Sequence, residues 1–412
     1  MRFNYRLAAV CFAAIAVNLP MAWISLSKLF LLLAGLFCLV QDVRQQGPAS
    51  LKPQSLVTWL VLAAVALFAA STLWTQVDTS FAWLAWVKHA KLLEIILVTQ
   101  LLRSHKEALS AVACLLLGHG VVLGLSYLQA AGAPMPSFVV SPFNANIVFA
   151  ESYIDQGLMT VVFVSLVLHL KHLLKLPPWF AGLLCAAGLL NVLALLPGRT
   201  GFVTAAVVVG LAVMWALPKR LQLVALLAAP ILVGVLAFAT SGKVKEGFNK
   251  IYTESQDYAQ AGNAATSIGW RLNAWHRSIQ AMQDQPLGYG VGSWTPAVKK
   301  HQGDNAVQIF GATNSSNPHQ EYLLWGVELG VLGSLLLLAL LLAYLKQTLA
   351  ADKGVQHAAI TTLAVVATAC LFNSALYDDL LGDFLCVSLG VLLALCRHTP
   401  EQTQAGLNAS LP

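Results

Sequence analysis

Long apolar runs follow one another along almost the whole sequence, and they constrain the fold more than any other feature. A helix that spans a membrane needs about 20 mostly apolar residues. Hydrophobic residues make up 58% of the 412 residues and charged residues 10%, whereas about 25% of the residues of a soluble domain are charged. Because a soluble protein must cover itself with polar residues, soluble enzymes, secreted modules and disordered scaffolds are excluded. We predict an all-α polytopic membrane protein.

The sequence predicts about twelve transmembrane helices. The first run is expected to be retained as a span, because no small-x-small cleavage site of a signal peptide follows it. A short turn separates it from the second run. The twelve predicted runs lie at residues 7–24, 26–41, 55–73, 81–102, 107–130, 146–170, 178–197, 201–217, 220–240, 319–346, 357–374 and 382–397.

The distribution of lysine and arginine predicts the orientation of the chain. With the amino terminus in the cytoplasm, every inner loop is basic, while the short outer segments hold only Lys28 and Arg199. The placement of the basic residues thus matters more than the net charge of +6, and we expect no nucleic-acid partner.

One outer segment is much longer than the rest and divides the chain. Residues 1–240 are predicted to hold helices 1–9, residues 241–318 a periplasmic loop, residues 319–398 helices 10–12, and residues 399–412 a short cytoplasmic tail. The loop is rich in Trp, Asn and Gln, and a helix is expected within it from about residue 267 to residue 283. Water-facing chemistry is expected in this loop.

Two arginines on the predicted outer side are candidate anion ligands. Arg199 lies in a tight turn framed by Gly198 and Gly201, which would let a large anionic group approach the backbone. Arg271 lies on the loop helix, and its planar guanidinium suits phosphate oxygens. The alternatives are an interfacial anchor for Arg199 and, for Arg271, an amphipathic helix that lies on the membrane surface.

The same loop helix offers further candidates for substrate binding. Trp275 shares a face with Arg271, while Trp270, Asn273 and Arg277 share another. The tryptophans could stack on sugar rings or lie at the membrane interface. Trp275 and Arg277 are the predicted substrate-binding residues of this helix.

His319 is the candidate general base. Asn317 is predicted to cap the tenth helix and Pro318 to be its first residue, which would place His319 in the first turn on the outer face. A helix amino terminus and nearby arginines disfavour imidazolium, so the ring should be neutral near pH 7 and able to accept a proton. The alternative is a polar histidine at the membrane interface. Tyr322, one turn further on, could orient His319 or contact a sugar.

The predicted fourth and sixth spans contain charged residues. Lys88 would lie about 10 Å along its helix from the outer surface, where it could be a further anion ligand. Lys91 could instead form an internal pair with Glu94. Glu151 and Asp155 could pair with these lysines or bind substrate hydroxyls, and the sequence does not decide between these roles.

Three further patterns are given structural interpretations. The GYGVG segment at residues 288–292 resembles a phosphate loop or a channel filter, but no predicted strand precedes it and it occurs once. Asp378, Asp379 and Asp383 are interpreted as helix capping rather than a metal site. The seven cysteines lie in apolar runs without CxxC spacing, so they are interpreted as packing residues.

The motifs resemble those of the O-antigen ligase/polymerase family. The resemblance lies in residues 270–294, which end in PLGYGVGSW, in residues 318–333, which begin PHQEYL, and in the arginine turn at residues 198–201. It implies a glycosyltransferase of the GT-C-like class in the bacterial inner membrane, with its active site facing the periplasm. His319 matches the family's essential histidine, and Arg199 and Arg271 match its two essential arginines.

The resemblance also implies substrates. The donor would be an undecaprenyl diphosphate-linked O-antigen and the acceptor the lipid A–core oligosaccharide, with inversion at the transferred sugar and with arginines in place of a metal. No cofactor is expected. Alternatives within the family are an O-antigen polymerase and a protein O-oligosaccharyltransferase. Outside it, the alternative is a flippase or another transporter of lipid-linked glycan, for which no inverted repeat is visible.

Overall fold

A computed structural model describes residues 4–47, 55–140, 147–150, 152–240, 242–301 and 317–398. These residues form helices, joined by turns and by one isolated bridge between Val140 and Val148. The predicted tail at residues 399–412 lies outside the described residues. The helices are α1 Tyr5–Ala16, α2 Met21–Gln46, α3 Leu56–Ala70, α4 Thr79–Ala90, α5 Leu93–Leu101, α6 His105–Ala130, α7 Tyr153–Leu170, α8 Pro178–Leu190, α9 Arg199–Ala216, α10 Lys219–Thr240, α11 Gly242–Ala261, α12 Ser267–Asp284, α13 Trp294–Lys299, α14 Glu321–Leu329, α15 Val331–Thr348, α16 Lys353–Phe372 and α17 Asp379–Arg397.

Nine helical segments of the described residues are long and apolar enough to cross a membrane. The chain is therefore a polytopic, all-helical membrane protein, while the count of twelve spans stays a prediction. The nine segments are Met21–Gln46, Leu56–Leu73, His105–Ala130, Tyr153–Leu170, Pro178–Leu195, Arg199–Ala216, Val331–Thr348, Lys353–Phe372 and Asp379–Arg397.

Helix α17 forms the centre of the bundle. It is buried along almost its whole length and packs against α5, α6, α7 and α16. A helix that is apolar on all sides is expected in such a position. Helix α7 is buried to a similar degree and contacts α8, α9 and α16.

The break between the first two helices lies earlier than predicted. The turn falls at residues 17–20, where Pro20 precedes α2, because proline cannot continue a preceding helix but suits the start of the next. Lys28 therefore lies within α2 and not in an outer loop. Its ammonium group lies 2.8 Å from the buried carboxylate of Asp383 and 4.0 Å from that of Glu94, which compensates a charge inside the bundle.

Two other predicted spans are interrupted. The predicted fourth span divides into α4 and α5, and Lys91 lies at the break, where its ammonium donates to the carbonyl oxygens of Tyr377 (3.0 Å) and Asp379 (3.4 Å). The predicted tenth span divides into α14 and α15 at Gly330, whose φ is 73°. Glycine adopts this left-handed conformation without strain.

The loop between α10 and α14 contains three helices in its described part, and the helix predicted near residues 267–283 is confirmed as α12. Thr266 caps it by accepting a hydrogen bond from the Gly269 amide at 3.1 Å, as expected of a threonine at this position. Helix α12 packs against α11, α13 and α14.

The GYGVG segment joins the loop to the bundle through its backbone. The amide of Gly290 donates to the Glu328 carbonyl at 2.9 Å, that of Val291 to Ser71 Oγ at 3.0 Å, and that of Gly292 to the Glu328 carboxylate at 2.8 Å. These donors are already satisfied by protein acceptors. The segment thus packs the loop against the bundle. This agrees with the predicted structural role and not with a phosphate-binding loop.

Alanine at position 290 should destabilise the fold more than alanine at another left-handed glycine. Gly290 has a φ of 89°, and a Cβ atom would lie 2.5 Å from Thr75 Cα. Gly132 has a similar φ of 83° with nothing within 4 Å of the Cβ position. Gly132→Ala should therefore lose only the stability that backbone strain costs, about 1–3 kcal/mol. Gly290→Ala should lose this amount and the further cost of the steric clash. Thermal unfolding of the two purified variants measures the difference, and equal melting temperatures would contradict the tight packing at Gly290.

Candidate active site

Arg199 begins α9 at the end of the bundle that carries the long loop. Small residues allow α9 to approach α7 closely: a Cβ atom on Gly198 would lie 3.1 Å from the Tyr153 ring, and one on Gly201 3.8 Å from Gly157 Cα. The Nη2 atom of Arg199 lies 3.4 Å from Ser267 Oγ. Its Nη1 atom is buried without a hydrogen-bond partner among the described residues. The free amide groups of a helix amino terminus also favour an anion. The start of α9 thus carries both the charge of the Arg199 guanidinium and the partial positive charge of the helix end.

Helix α12 brings Arg271 close to Arg199. Burial lowers the pKa of Arg271, and the positive charge of Arg199 lowers it further. An arginine remains protonated despite such a shift. The two guanidinium groups therefore repel each other within a partly buried space, which an anion between them would relieve.

His319 faces the same space. Burial, followed by the positive charge of Arg271, lowers the pKa of His319 to about 4. Its ring meets that of Trp270 edge to face, with the centroids 5.2 Å apart. The imidazole is therefore neutral at pH 7 and can accept a proton.

The backbone of His319 is strained. Its φ is 49°, in the left-handed region that non-glycine residues adopt only at a cost. The predicted cap is also corrected here. Gln320, not Asn317, caps α14, since its side chain accepts from the Leu323 amide at 2.6 Å. Asn317 instead accepts from the His319 amide at 2.9 Å, so His319 precedes the helix instead of lying in its first turn.

Hydrogen bonds connect the segment before α14 to the neighbouring elements. Trp275 Nε1 donates to the Pro318 carbonyl at 3.1 Å, and Ser374 Oγ donates to Asn317 Oδ1 at 2.9 Å. Asn373 Nδ2 donates to Thr200 Oγ1 at 3.2 Å. These bonds link α12, the α16–α17 turn and α9 around the candidate site, and they use the indole nitrogen of Trp275 in the protein itself.

An apolar crevice of about 530 Å³ ends at Arg199. It lies between α9, α10 and α11, and Phe202, Ile231 and Phe248 are among its lining residues. Gly210 of α9 approaches Pro230 of α10, where a Cβ atom would lie 2.7 Å from the proline ring. Ile231 is largely exposed, so the crevice opens on a lipid-facing surface of the bundle.

Comparison with known proteins gives a family and one distant relative. The family model described as O-antigen ligase matches residues 183–338. The predicted resemblance to the O-antigen ligase family is thereby confirmed. The matched residues include Arg199, Arg271 and His319, but not Lys88.

The relative is an uncharacterized protein of Haemophilus influenzae. It is 28% identical to this chain over 155 residues, which cover 36% of the chain and 38% of the relative. The match thus spans well under two thirds of the relative's length. Over residues 183–338 the chain is thus similar to membrane proteins of the O-antigen ligase family.

Lys88 lies beside the α16–α17 turn. Its ammonium group is 3.0 Å from the Asp379 carboxylate and 5.1 Å from the centre of the Tyr377 ring. Burial, and then the charge of Asp155, raise the pKa of Asp378 to about 7, while Lys91 and Lys88 oppose this rise. Lys88 is half-buried and paired, and its role as an anion ligand stays a prediction.

The other charged residues of these spans have mainly structural partners. Lys91 contacts the turn before α17 rather than forming the predicted close pair with Glu94. Asp155 accepts from the Ser152 amide at 3.0 Å and completes the cap of α7. Glu151 lies outside the described residues. Among the described residues, no group of three His, Cys, Asp or Glu side chains is arranged to hold a metal ion.

Two predicted substrate-binding residues point into the protein. Arg277 donates to the His301 carbonyl and, at 3.2 Å, to Gln280 Oε1. The Tyr322 hydroxyl donates to the Ala367 carbonyl of α16 at 3.3 Å. The structure thus gives both side chains a packing role, and their contact with substrate stays a prediction.

Two fully buried carboxylates hold the helix that follows His319. Glu321 accepts from the amides of Leu376 (3.0 Å) and Tyr377 (3.3 Å) and from Trp325 Nε1 (3.0 Å). Glu328 accepts from the Gly292 amide at 2.8 Å, and its other oxygen lies 2.7 Å from His89 Nε2.

The sequence analysis did not identify Glu321 or Glu328. The signal was present, since two glutamates seven residues apart in an apolar helix lie on one face. Two such carboxylates require polar partners when they are buried. Both carboxylates thus attach α14, the helix that follows His319, to neighbouring elements.

Glu328→Leu should destabilise the protein strongly. The change leaves the Gly292 amide and the His89 ring buried without their acceptor, at about 1–3 kcal/mol for each group. Glu246→Leu is the matched control, because Glu246 is exposed and pairs with Lys250 one turn away, and exposed pairs contribute little. The melting temperatures of the two purified variants give the comparison. A Glu328 variant as stable as the control would show that this carboxylate does not hold α14.

Proposed function

We propose that this chain is an O-antigen ligase that transfers a glycan from undecaprenyl diphosphate to the lipid A–core oligosaccharide. It would act in the bacterial inner membrane, with its site facing the periplasm. The observation that carries the proposal is the convergence of Arg199, Arg271 and the neutral His319 at the end of a lipid-facing apolar crevice.

The two arginines suit a diphosphate leaving group. As the bond between the anomeric carbon and the diphosphate oxygen breaks, its electron pair stays on the diphosphate. Fixed cations that already face this position lower the barrier without reorganising. Guanidinium groups donate two parallel hydrogen bonds to phosphate oxygens, and Arg199 Nη1 has such a donor free among the described residues. The arginines would thus do the work often done by a divalent cation.

His319 would act as the general base. It takes the proton from the acceptor hydroxyl as that oxygen attacks the anomeric carbon in line with the leaving diphosphate, which inverts the configuration. A base with a pKa of about 4 is weak for this task. Diphosphate bound beside Arg271 would offset the positive charge that depresses the pKa of His319, so donor binding would strengthen the base.

The apolar crevice would hold the first isoprene units of the donor lipid. Its lining is almost entirely apolar apart from Arg199 at its end, which matches a polyprenyl chain with an anionic head. Trp270, whose ring contacts His319, and Trp275 on the same helix would flank the sugar. Lys88 would lie further along the α16–α17 turn, where an acceptor phosphate could meet it.

Substitution of the site residues should abolish transfer while leaving the protein folded. Arg199→Ala, Arg271→Ala and His319→Ala are assayed with undecaprenyl diphosphate-linked glycan and lipid A–core in detergent, with EDTA present. We expect each variant to lose at least about 100-fold in rate, the usual scale for removing a charge-stabilising group or a general base. Exposed Arg220 and His276 provide matched controls as Arg220→Ala and His276→Ala.

The products separate the alternatives. A glycan ladder on the core, formed by the wild type in EDTA, supports a metal-independent ligase. A longer lipid-linked glycan without a ladder would assign a polymerase, and glycan on an added acceptor protein a protein O-oligosaccharyltransferase. A folded wild-type protein that converts no donor would overturn the enzyme assignment in favour of a transporter.

The acid limb of the pH profile should move when donor binds. In the free enzyme His319 is neutral at pH 7 and gains a proton as the pH falls towards about 4, so kcat/KM should fall there. The profile of kcat reports the donor complex, in which the bound diphosphate raises the pKa of His319. Its acid limb should therefore lie at a higher pH than that of kcat/KM. Coincident limbs would contradict the coupling between diphosphate and His319.

A further inference from the structure

A second cavity lies at the opposite end of the bundle from Arg199. Its volume is about 640 Å³, and it lies between α2, α3, α5 and the carboxyl-terminal end of α17. Leu32, Leu36, Leu62 and Leu97 are among the apolar residues that line it. The charge distribution predicts that this end is cytoplasmic.

The cavity is an open crevice in the lipid-facing surface. Leu32, Leu36 and Leu62 are all largely exposed, although they line it. Gly35 also lines it, and a Cβ atom there would lie 2.6 Å from the Leu97 side chain. The absence of a side chain at Gly35 thus lets α5 approach α2 closely beside the crevice.

The crevice is long enough to hold an acyl chain of one membrane leaflet. Its lining runs along α2 from Leu32 to Gln46, which corresponds to about 21 Å at 1.5 Å per residue. Half of a hydrocarbon core of about 30 Å spans about 15 Å, and Asp42, the first charged lining residue on α2, lies ten residues after Leu32. An acyl chain that entered beside Leu32 would therefore reach the polar end of the crevice where its headgroup begins.

Two arginines stand at that polar end. Arg103 Nη2 lies 2.6 Å from the Asp42 carboxylate, and Arg397 Nη1 donates to Gln100 Oε1 at 3.1 Å. Both arginines line the crevice. Each of these bonds uses one terminal nitrogen, whereas a guanidinium carries five donor N–H bonds. One carboxylate facing two guanidinium groups leaves a net positive charge at the mouth.

We propose that this crevice binds an anionic phospholipid of the cytoplasmic leaflet, with an acyl chain along α2 and its headgroup phosphate between Arg103 and Arg397. The phosphate would accept hydrogen bonds from the guanidinium N–H groups that the contacts with Asp42 and Gln100 do not use. Its negative charge would also reduce the repulsion between the two arginines. The site is distinct from the candidate active site, and the proposal holds whether or not the chain is a ligase.

The test counts lipids that stay bound to the whole purified protein. Native mass spectrometry is carried out from detergent doped with phosphatidylglycerol or with phosphatidylcholine of the same acyl chains. We expect the wild type to retain phosphatidylglycerol and the double variant Arg103→Gln/Arg397→Gln to lose about tenfold in apparent affinity, as expected for lost charge-assisted hydrogen bonds. Arg44→Gln is the control, because Arg44 is exposed on the last turn of α2 outside the crevice.

A second pair of variants tests the crevice with the arginines intact. Leu36→Trp should fill it and reduce retention of phosphatidylglycerol, while Leu29→Trp on the same helix, exposed outside the crevice, should not. If the arginine variant fails to fold, this pair decides. Equal retention of both lipids by the wild type would overturn the proposal, and so would equal retention by the two tryptophan variants. The wild type could instead form a dimer that Leu36→Trp dissociates while lipid has no effect. That outcome would assign the crevice to a second copy of the chain and would also overturn the lipid proposal.

Discussion

The hydrogen bonds of two buried carboxylates hold the short helix on which the rest of the site depends. A carboxylate can be buried only where donors replace its water. Glu321 and Glu328 obtain partners from three separate parts of the chain, namely His89, Gly292 and the turn at residues 376–377. The helix between them is thereby fixed to the α16–α17 turn at one end and to the GYGVG segment at the other. His319 lies two residues before Glu321, so its position is set by the same contacts.

The candidate site combines features that each cost stability. Arg199 and Arg271 repel each other, His319 occupies a left-handed backbone conformation, and its imidazole is held neutral. Strain and perturbed pKa values of this kind concentrate at functional sites. An anion between the arginines would relieve two of these costs, because it would neutralise the repulsion and offset the charge of Arg271 that lowers the pKa of His319. A diphosphate is therefore an apt partner for this arrangement.

Composition and charge predicted the class of fold, because a bilayer imposes length and hydrophobicity on every span. The loop helix α12 was also predictable, since Thr266 caps it and its polar and apolar residues alternate with helical period. The errors fell at Lys28, which was assigned to an outer segment, and at the helix breaks near Lys91 and at Gly330, where continuous spans were predicted. Hydropathy assigns each residue to a span or a loop from its neighbours along the chain. The partners that stabilise the two lysines lie hundreds of residues away: Lys28 pairs with Asp383, and Lys91 donates to the carbonyl of Tyr377.

The sequence by itself determined that the chain crosses a membrane several times and presents a long loop at one side, because these properties depend on the residues within each segment. It also singled out Arg199, Arg271 and His319 by their local settings. Only the tertiary structure decided that Arg271 lies near both Arg199 and His319. It also decided that Arg277 and Tyr322 turn towards protein carbonyls and that Glu321 and Glu328 fix the helix after His319. The physical reason is that a hydrogen bond or a charge pair is decided by distance in space, and in this bundle the partners come from helices far apart in the chain.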